Sequence, residues 1–350
     1  MKDLILDANF PRTLDQRVYH LGIRSGEVAN RIVTVGAPSR ANGIAAHLDA
    51  SPRPFTLTSE RGFTTITGRY KGVPVSIVSI GMGYPNADFF VREVRECLVG
   101  DMVVIRLGSC GGLIDVPVGT VVVPKASVAI TRNYDYDFIA GGSHEPPYRL
   151  SKPVYADHEL HRVLSDTLQR TRPPTLRTGV IDNTVNASAD SFYSSQGRQT
   201  SFPDHNETLI EELKSSHADL ITLEMETFHI LHLAANWPSS THTMAMAAPP
   251  VTTLPVAPSI TVPPAPSTQG QPSSVSTADA EGKPLRPKPR IRAAAAQMVF
   301  ASRTSQDFIT PEMVGEIEAW SGRAVLEALA GFAIEPNRLH EESGSVWELR

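Results

Sequence analysis

The chain is poor in cysteine: 350 residues hold 2, Cys97 and Cys110. So few exclude a disulfide scaffold, and their spacing matches no metal-binding pattern. Both are expected to be buried, reduced thiols of a cytoplasmic protein. An excess of positive charge is also missing. Lys and Arg total 32 against 37 Asp and Glu, a formal net charge of −5. Without a basic field, nucleic acid is not an expected partner, and any small anion must be gripped by a local group of Arg. No uncharged apolar run approaches the ~20 residues of a membrane span, so no membrane partner is expected either. The start, "MKDLILDANFPR", lacks a basic stretch leading into a long apolar core, so no signal peptide is expected. The 11 His are scattered without metal-ligand spacing, and no metal is expected.

What the sequence has instead is alternation. "RIVTVG" (31–36) is a β-rich run closed by Gly, and residues 37–50 have helical spacing. Residues 63–81 predict two strands around a Lys71-Gly72 turn, and 86–98 an amphipathic helix. "MVVIRLG" (102–108) predicts a buried strand entering a Gly-Ser-Cys-Gly-Gly turn, and 120–130 a strand with Pro124 at a bulge or edge. A loop-rich stretch follows. Then come a helix (156–171), an extended run (177–188), a helix (207–218), a strand (219–225) and a helix (226–236). This order indicates an α/β fold with a mixed central sheet.

Between 238 and 290 the pattern collapses. The segment holds 12 of the 28 Pro, many Ser, Thr and Ala, and almost no large apolar residues. It is expected to be a disordered insertion with a basic end, either a passive surface loop or a docking site for a partner. A strand (291–302) and a long helix (310–333) follow, giving one domain over 1–350 interrupted by the insertion.

Several stretches carry chemistry. Gly-rich turns follow strands at "VGAPSR", "IGMGYPN" and "RLGSCGGL", where backbone N–H groups can approach an anion. The second is no dinucleotide fingerprint, because Asn86 stands where the third glycine belongs. Arg106 interrupts a buried strand, which is costly unless the charge is paired. It forms either an internal salt bridge or an anion pocket, with the hydroxyl of Ser109 nearby and Arg40 and Arg61 as candidates to converge on the same anion. In "LEMET", Glu224 and Glu226 flank Met225 where a strand becomes a helix. The carboxylates suit a sugar diol or, more plainly, a helix start; Met suits a sugar face. His20 in "YHLG" reads alone as structural, and "SFYSSQGR" (191–198) as either a surface loop or a pocket wall that reads a planar polar ring.

Together and in this order, these pieces resemble the nucleoside phosphorylase family, which includes uridine and purine phosphorylases. The likeness spans nearly the whole chain outside the insertion and the last dozen residues. It implies a single three-layer α/β/α domain with a partly barrel-like sheet. "VGAPSR" resembles the family's phosphate turn, with Gly36 and Arg40 matching and Ala37 in place of the usual Asp. "RGFTT" resembles the segment whose Arg, here Arg61, crosses to a neighbour's phosphate; Gly62 replaces a Glu tied to a monovalent cation site in bacterial members, which weighs against that site. "RLGSCGG" resembles the signature that gives Arg106 and Ser109 to phosphate (Ser109 also faces the ribose) and places Gly111 near the base. "LEMET" resembles the ribose signature, implying Glu224, Met225 and Glu226 at the sugar, while "YHLG" implies that His20 reaches a neighbouring subunit's ribose 5′-hydroxyl.

"ADSFYSSQGR" resembles the pyrimidine-specific segment. Phe192 matches the residue that stacks on the base, and Gln196 with Arg198 the pair that reads uracil. "FASRTS" offers Arg303 near the base where purine members carry a catalytic Asp. The resemblance thus implies phosphorolysis of uridine, and of deoxyuridine with it, to uracil and (deoxy)ribose 1-phosphate in pyrimidine salvage. Arg106, Gln196, Arg198 and Glu226 are its catalytic residues, no cofactor is needed beyond inorganic phosphate as co-substrate, and a homodimer or a homohexamer (a trimer of dimers) is expected. The alternatives are a purine phosphorylase, a nucleosidase using water, or a non-catalytic nucleoside-binding protein on the same fold.

Overall fold

The computed structural model describes residues 4–142, 144–238 and 287–349. Most of the expected insertion therefore lies outside the described residues. In chain order the elements are β1 (Ile5–Leu6), β2 (Arg12–Thr13), β3 (Arg31–Val35), α1 (Pro38–Ala45), β4 (Phe55–Thr58), β5 (Thr64–Tyr70), β6 (Val73–Ser79) and α2 (Tyr84–Cys97). Then follow β7 (Met102–Gly112), β8 (Val121–Arg132), β9 (Tyr148–Leu150), β10 (Val154–Tyr155), α3 (His158–Thr171), β11 (Val180–Ala189), α4 (Leu209–Ser216), β12 (Leu220–Glu224), α5 (Thr227–Ala235), β13 (Ile291–Ser302) and α6 (Pro311–Gly331).

One mixed sheet runs β10-β8-β11-β12-β7-β3-β6-β5-β4. β13 lies parallel to β7 along its whole length and touches β8 antiparallel at Gln297 and Met298. The strands β7, β12, β11, β8 and β13 thereby close on one another, which is the barrel-like part of the sheet. Strands buried on both faces supply two cores by alternation. Val33, Val35, Val103 and Ile105 face α1, α3 and α6, whereas Ile32, Met102 and Val104 face α2 and α5. The result is three layers, helices on each side of the sheet.

Local chemistry sets the boundaries. Lys71 and Gly72 both take positive φ, at 52° and 78°, as the tight hairpin between β5 and β6 requires. Pro starts α1, α2 and α6 in the first turn, where its missing N–H costs nothing. Asp157 caps α3 by accepting from Leu160 N at 2.9 Å. The β11–β8 register slips opposite Pro124, the bulge expected there.

The expected Gly-Ser-Cys-Gly-Gly turn is not a turn. β7 runs through it to Gly112, because β13 pairs on one side and β12 on the other, and this double pairing overrides the turn preference of glycine. A register shift in β13 between Val299 and Ala301 leaves Phe300 out of the pairing, so that its ring faces the site described next.

Candidate active site

A cavity of about 410 Å³ opens where the C-terminal ends of β3, β6, β7, β12 and β13 gather. Ligands bind at the carboxyl ends of strands in open α/β sheets, so this placement alone draws attention.

Its most unusual lining residue is Arg106. The side chain is buried, and its Nη2 donates to Glu226 Oε2 at 2.7 Å. Its Nε and Nη1 are buried without any partner. An unmet buried donor costs ~1–3 kcal/mol, more on a charged group. Arg40, from α1, reaches the same cavity, with Nε bonded to Glu318 at 2.7 Å. Burial pushes its pKa down and the charge of Arg106 adds to this, against the pull of Glu318. Gly36 lies alongside, and Ser109 exposes its hydroxyl to the cavity. Two buried guanidinium groups, each anchored on one side by a carboxylate, thus face one space.

The stretch Leu223–Glu226 forms the adjoining wall. Glu226 accepts from Gly83 N at 2.5 Å as well as from Arg106. Burial raises its pKa, while Arg106 opposes the rise. Glu224, expected at the sugar, lines the cavity, and both of its oxygens also accept hydrogen bonds from the chain. One takes Asn186 Nδ2 at 2.8 Å and the Ser188 hydroxyl; the other takes Glu226 N and Thr227 N at 2.9 Å each, and Thr227 Oγ1 at 3.0 Å. It therefore caps the start of α5, where a carboxylate is favoured by the helix dipole. Met225, between the two, is half-buried against the cavity.

The third wall is the loop after β11. Ser194–Gln196 form one 3₁₀ turn rather than the irregular loop expected, and Gly197 follows at φ 63°. A side chain at Gly197 would be strained by that φ and would meet Ile210 at 2.9 Å. The turn brings Arg198 back so that its guanidinium lies over the Phe192 ring, 3.9 Å from the centroid. Arg198 Nη1 donates to Phe192 O at 2.6 Å and to the Gln196 side-chain oxygen, leaving the Gln196 amide N–H donors for the cavity. Burial, and then the charge of Arg303, push the Arg198 pKa down to about 10, so it is still a cation at neutral pH.

Arg303 was expected at the base, yet it does not line the cavity. It donates to Gln196 O at 3.0 Å and Gly197 O at 3.2 Å and so holds the loop's backbone. His20 and Arg61 also lie outside. Arg61 donates to Tyr19 Oη at 2.8 Å, and His20 is bonded to Glu93 and stacked on Phe89, in a separate cluster. Gly111 lies on the cavity with Arg303 Cγ 3.9 Å from its would-be Cβ. Sequence reasoning missed the apolar mouth formed by Met82, Phe300 and Phe308. The exposed aromatic in the polar run "RTSQDF" was its only signal.

Comparison with known proteins agrees with this architecture. The chain belongs to the phosphorylase superfamily, whose family model matches residues 30–237. Within it the chain is a nucleoside phosphorylase, a pentosyltransferase acting on a nucleoside and phosphate. Among its relatives, a uridine phosphorylase of Thermococcus kodakarensis is 27% identical over 236 residues, 66% of this chain and 77% of that one. A DeoD-type purine nucleoside phosphorylase of Oceanobacillus iheyensis is 28% identical over 62% of this chain and 81% of that one. A solved chain from a structural and catalytic analysis of two uridine phosphorylases in the oomycete Phytophthora capsici is 36% identical, with a TM-score of 0.75. The match covers 95% of this chain and all of that one (100%). Among the described residues no helix is long and apolar enough to cross a membrane.

Proposed function

We propose that the protein is a uridine phosphorylase, interconverting uridine plus phosphate with uracil plus ribose 1-phosphate. The observation that carries this reading is the Gln196–Arg198 pair, set against Phe192 in the cavity that Arg106, with two unpartnered nitrogens, also lines. Phosphate fills the space between Arg106, Arg40, Ser109 and Gly36. Its oxygen attacks the anomeric carbon from one face as the bond to uracil breaks on the other. Positive charge then grows on the sugar, as in glycosyl transfer generally, and the bonding pair leaves with uracil. The bound phosphate stabilises that cation and lowers the entropic barrier by being held in place. Arg198, oriented by Gln196, meets the charge on the uracil oxygens; a donor set in advance where charge develops contributes ~3–4 kcal/mol. Glu226 holds the sugar hydroxyls and orients Arg106 at once, so sugar and phosphate binding share one carboxylate. Met225 covers the sugar face. Glu224 joins the sugar wall and supports the start of α5, and Arg303 supports the base loop.

His20 and Arg61 complete a neighbouring subunit's site in this reading, in a homodimer or a homohexamer assembled as a trimer of dimers. Residues 1–350 form one domain, interrupted in sequence by the Pro-rich segment 238–290. The purine relatives favour a second reading, as a purine phosphorylase. Against it, the loop after β13 presents Arg303, and its Asp307 is bonded to Ser305 Oγ at 2.7 Å and does not line the cavity. Following the absorbance of uridine and inosine, each with and without phosphate, separates these readings and a nucleosidase.

A further inference from the structure

Glu93 is a buried carboxylate on the core face of α2 that the proposed chemistry leaves unused. It is 5% exposed among Phe90, Val94 and their apolar neighbours, and among the described residues no Lys or Arg bonds to it. A buried carboxylate without a cation must be satisfied by hydrogen bonds. Here the donors come from one place. Glu93 accepts from His20 N at 3.0 and 3.1 Å, from Leu21 N at 2.8 Å, and contacts His20 Nδ1 at 2.6 Å. Both oxygens already accept backbone N–H groups, so the carboxylate is an acceptor and Nδ1 carries the ring proton. The ring itself is clamped flat on Phe89, 3.7 Å between centroids and 9° between planes. His20 Nε2 has no partner among the described residues, and in the neutral ring it is a bare acceptor.

We propose that Glu93 is a positioning residue that fixes the tautomer and direction of His20, so that Nε2 accepts a hydrogen bond from the ribose 5′-hydroxyl of a nucleoside bound to a neighbouring subunit. This rests on the reading of His20 given above. The arrangement selects a hydroxyl donor: a group that can only accept at this point leaves Nε2 unpaired. In Glu93→Gln the amide oxygen still takes the backbone N–H groups, but the amide nitrogen donates to Nδ1. The ring proton moves to Nε2, and the acceptor becomes a donor.

The test is steady-state phosphorolysis of uridine and 5′-deoxyuridine by the wild type, Glu93→Gln, Glu93→Asp and His20→Ala, with inosine and 5′-deoxyinosine alongside. A 5′-hydroxyl can still accept from Nε2–H, so the loss in Glu93→Gln comes from a ring no longer directed by the charged Nδ1–H to carboxylate bond: kcat/KM for uridine is expected to fall by ~10-fold, chiefly through KM, while 5′-deoxyuridine changes by less than ~3-fold. Turnover of the 5′-deoxy substrate shows that the variant is folded. Glu93→Asp, which keeps the carboxylate, is expected to restore part of the preference and serves if Glu93→Gln does not fold. Equal losses on both substrates in the Glu93 variants would overturn the proposal. If His20→Ala removes the preference for a 5′-hydroxyl and Glu93→Gln does not, the Glu93 inference alone fails. If His20→Ala leaves the preference intact, the role of His20 fails and the inference with it. Wild-type turnover of inosine but not uridine would overturn the uridine reading, while the inosine pair still decides the role of Glu93.

Discussion

Arg106→Lys isolates the anion site. Arg106 has two tasks: Nη2 pairs with Glu226 at 2.7 Å, and Nε with Nη1 lies buried and unpartnered. Replacing it with Ala would strip Glu226 of its cation, and an uncompensated buried carboxylate costs ~3–5 kcal/mol of stability, which would blur any binding effect. Lys leaves the charge beside Glu226 but removes the planar fork. A single ammonium serving Glu226 cannot also offer phosphate the two nitrogens that the guanidinium keeps free. Losing those charged hydrogen bonds is worth ~2–4 kcal/mol, that is ~30- to ~700-fold in kcat/KM for phosphate. The assay is the initial rate of base release at varied phosphate, with a thermal melt to show that the fold is kept. A phosphate KM within ~3-fold of wild type, at unchanged turnover, would refute the assignment of the orphan N–H groups to phosphate.

Arg198→Leu is expected to lower turnover at least ~100-fold while phosphate KM is largely kept, since it acts where charge develops on the base; near-normal turnover would contradict that. Removal of residues 239–286 is expected to leave melting temperature and phosphorolysis close to wild type. The flanks of that segment are tied by the Trp237 indole N–H donating to Pro289 O at 3.0 Å, at the end of β13 far from the cavity. A large loss of activity would show that the segment serves the site or the assembly. Cys97 and Cys110 are both buried, and burial pushes the Cys97 thiol up to about 12 and Cys110 well above its ordinary value. Thiol reagent at mildly alkaline pH is therefore expected to react with neither in the folded protein and with both after denaturation; rapid modification of the native protein would contradict this burial.

The sequence carried much of the fold because apolar strands and amphipathic helices announce themselves by period. The short strands β1, β2, β4, β9 and β10 did not, since two to four residues hold no readable period. The extension of β7 through Ser109–Gly112 was hidden by glycine's preference for turns, which pairing on both edges overrides. In the site, Arg106 was legible because a charge in an apolar strand is conspicuous. Its partner Glu226 was not, because the pair joins segments 120 positions apart. Glu224 was legible only in part: a carboxylate at a strand end looks the same in sequence whether it faces a sugar, caps the next helix or does both. The buried Asn186 and Ser188 that hold it pass for ordinary polar strand residues. Arg303 was placed at the base by resemblance, and only geometry reveals that it bonds the backbone of the loop.

The central claim is most directly tested by the ratio of kcat/KM for uridine to that for inosine, measured in saturating phosphate and again in its absence. The account predicts uracil release that requires phosphate, yields ribose 1-phosphate in equal amount, and strongly favours uridine. Preference for inosine, or base release that proceeds equally well without phosphate, would contradict it.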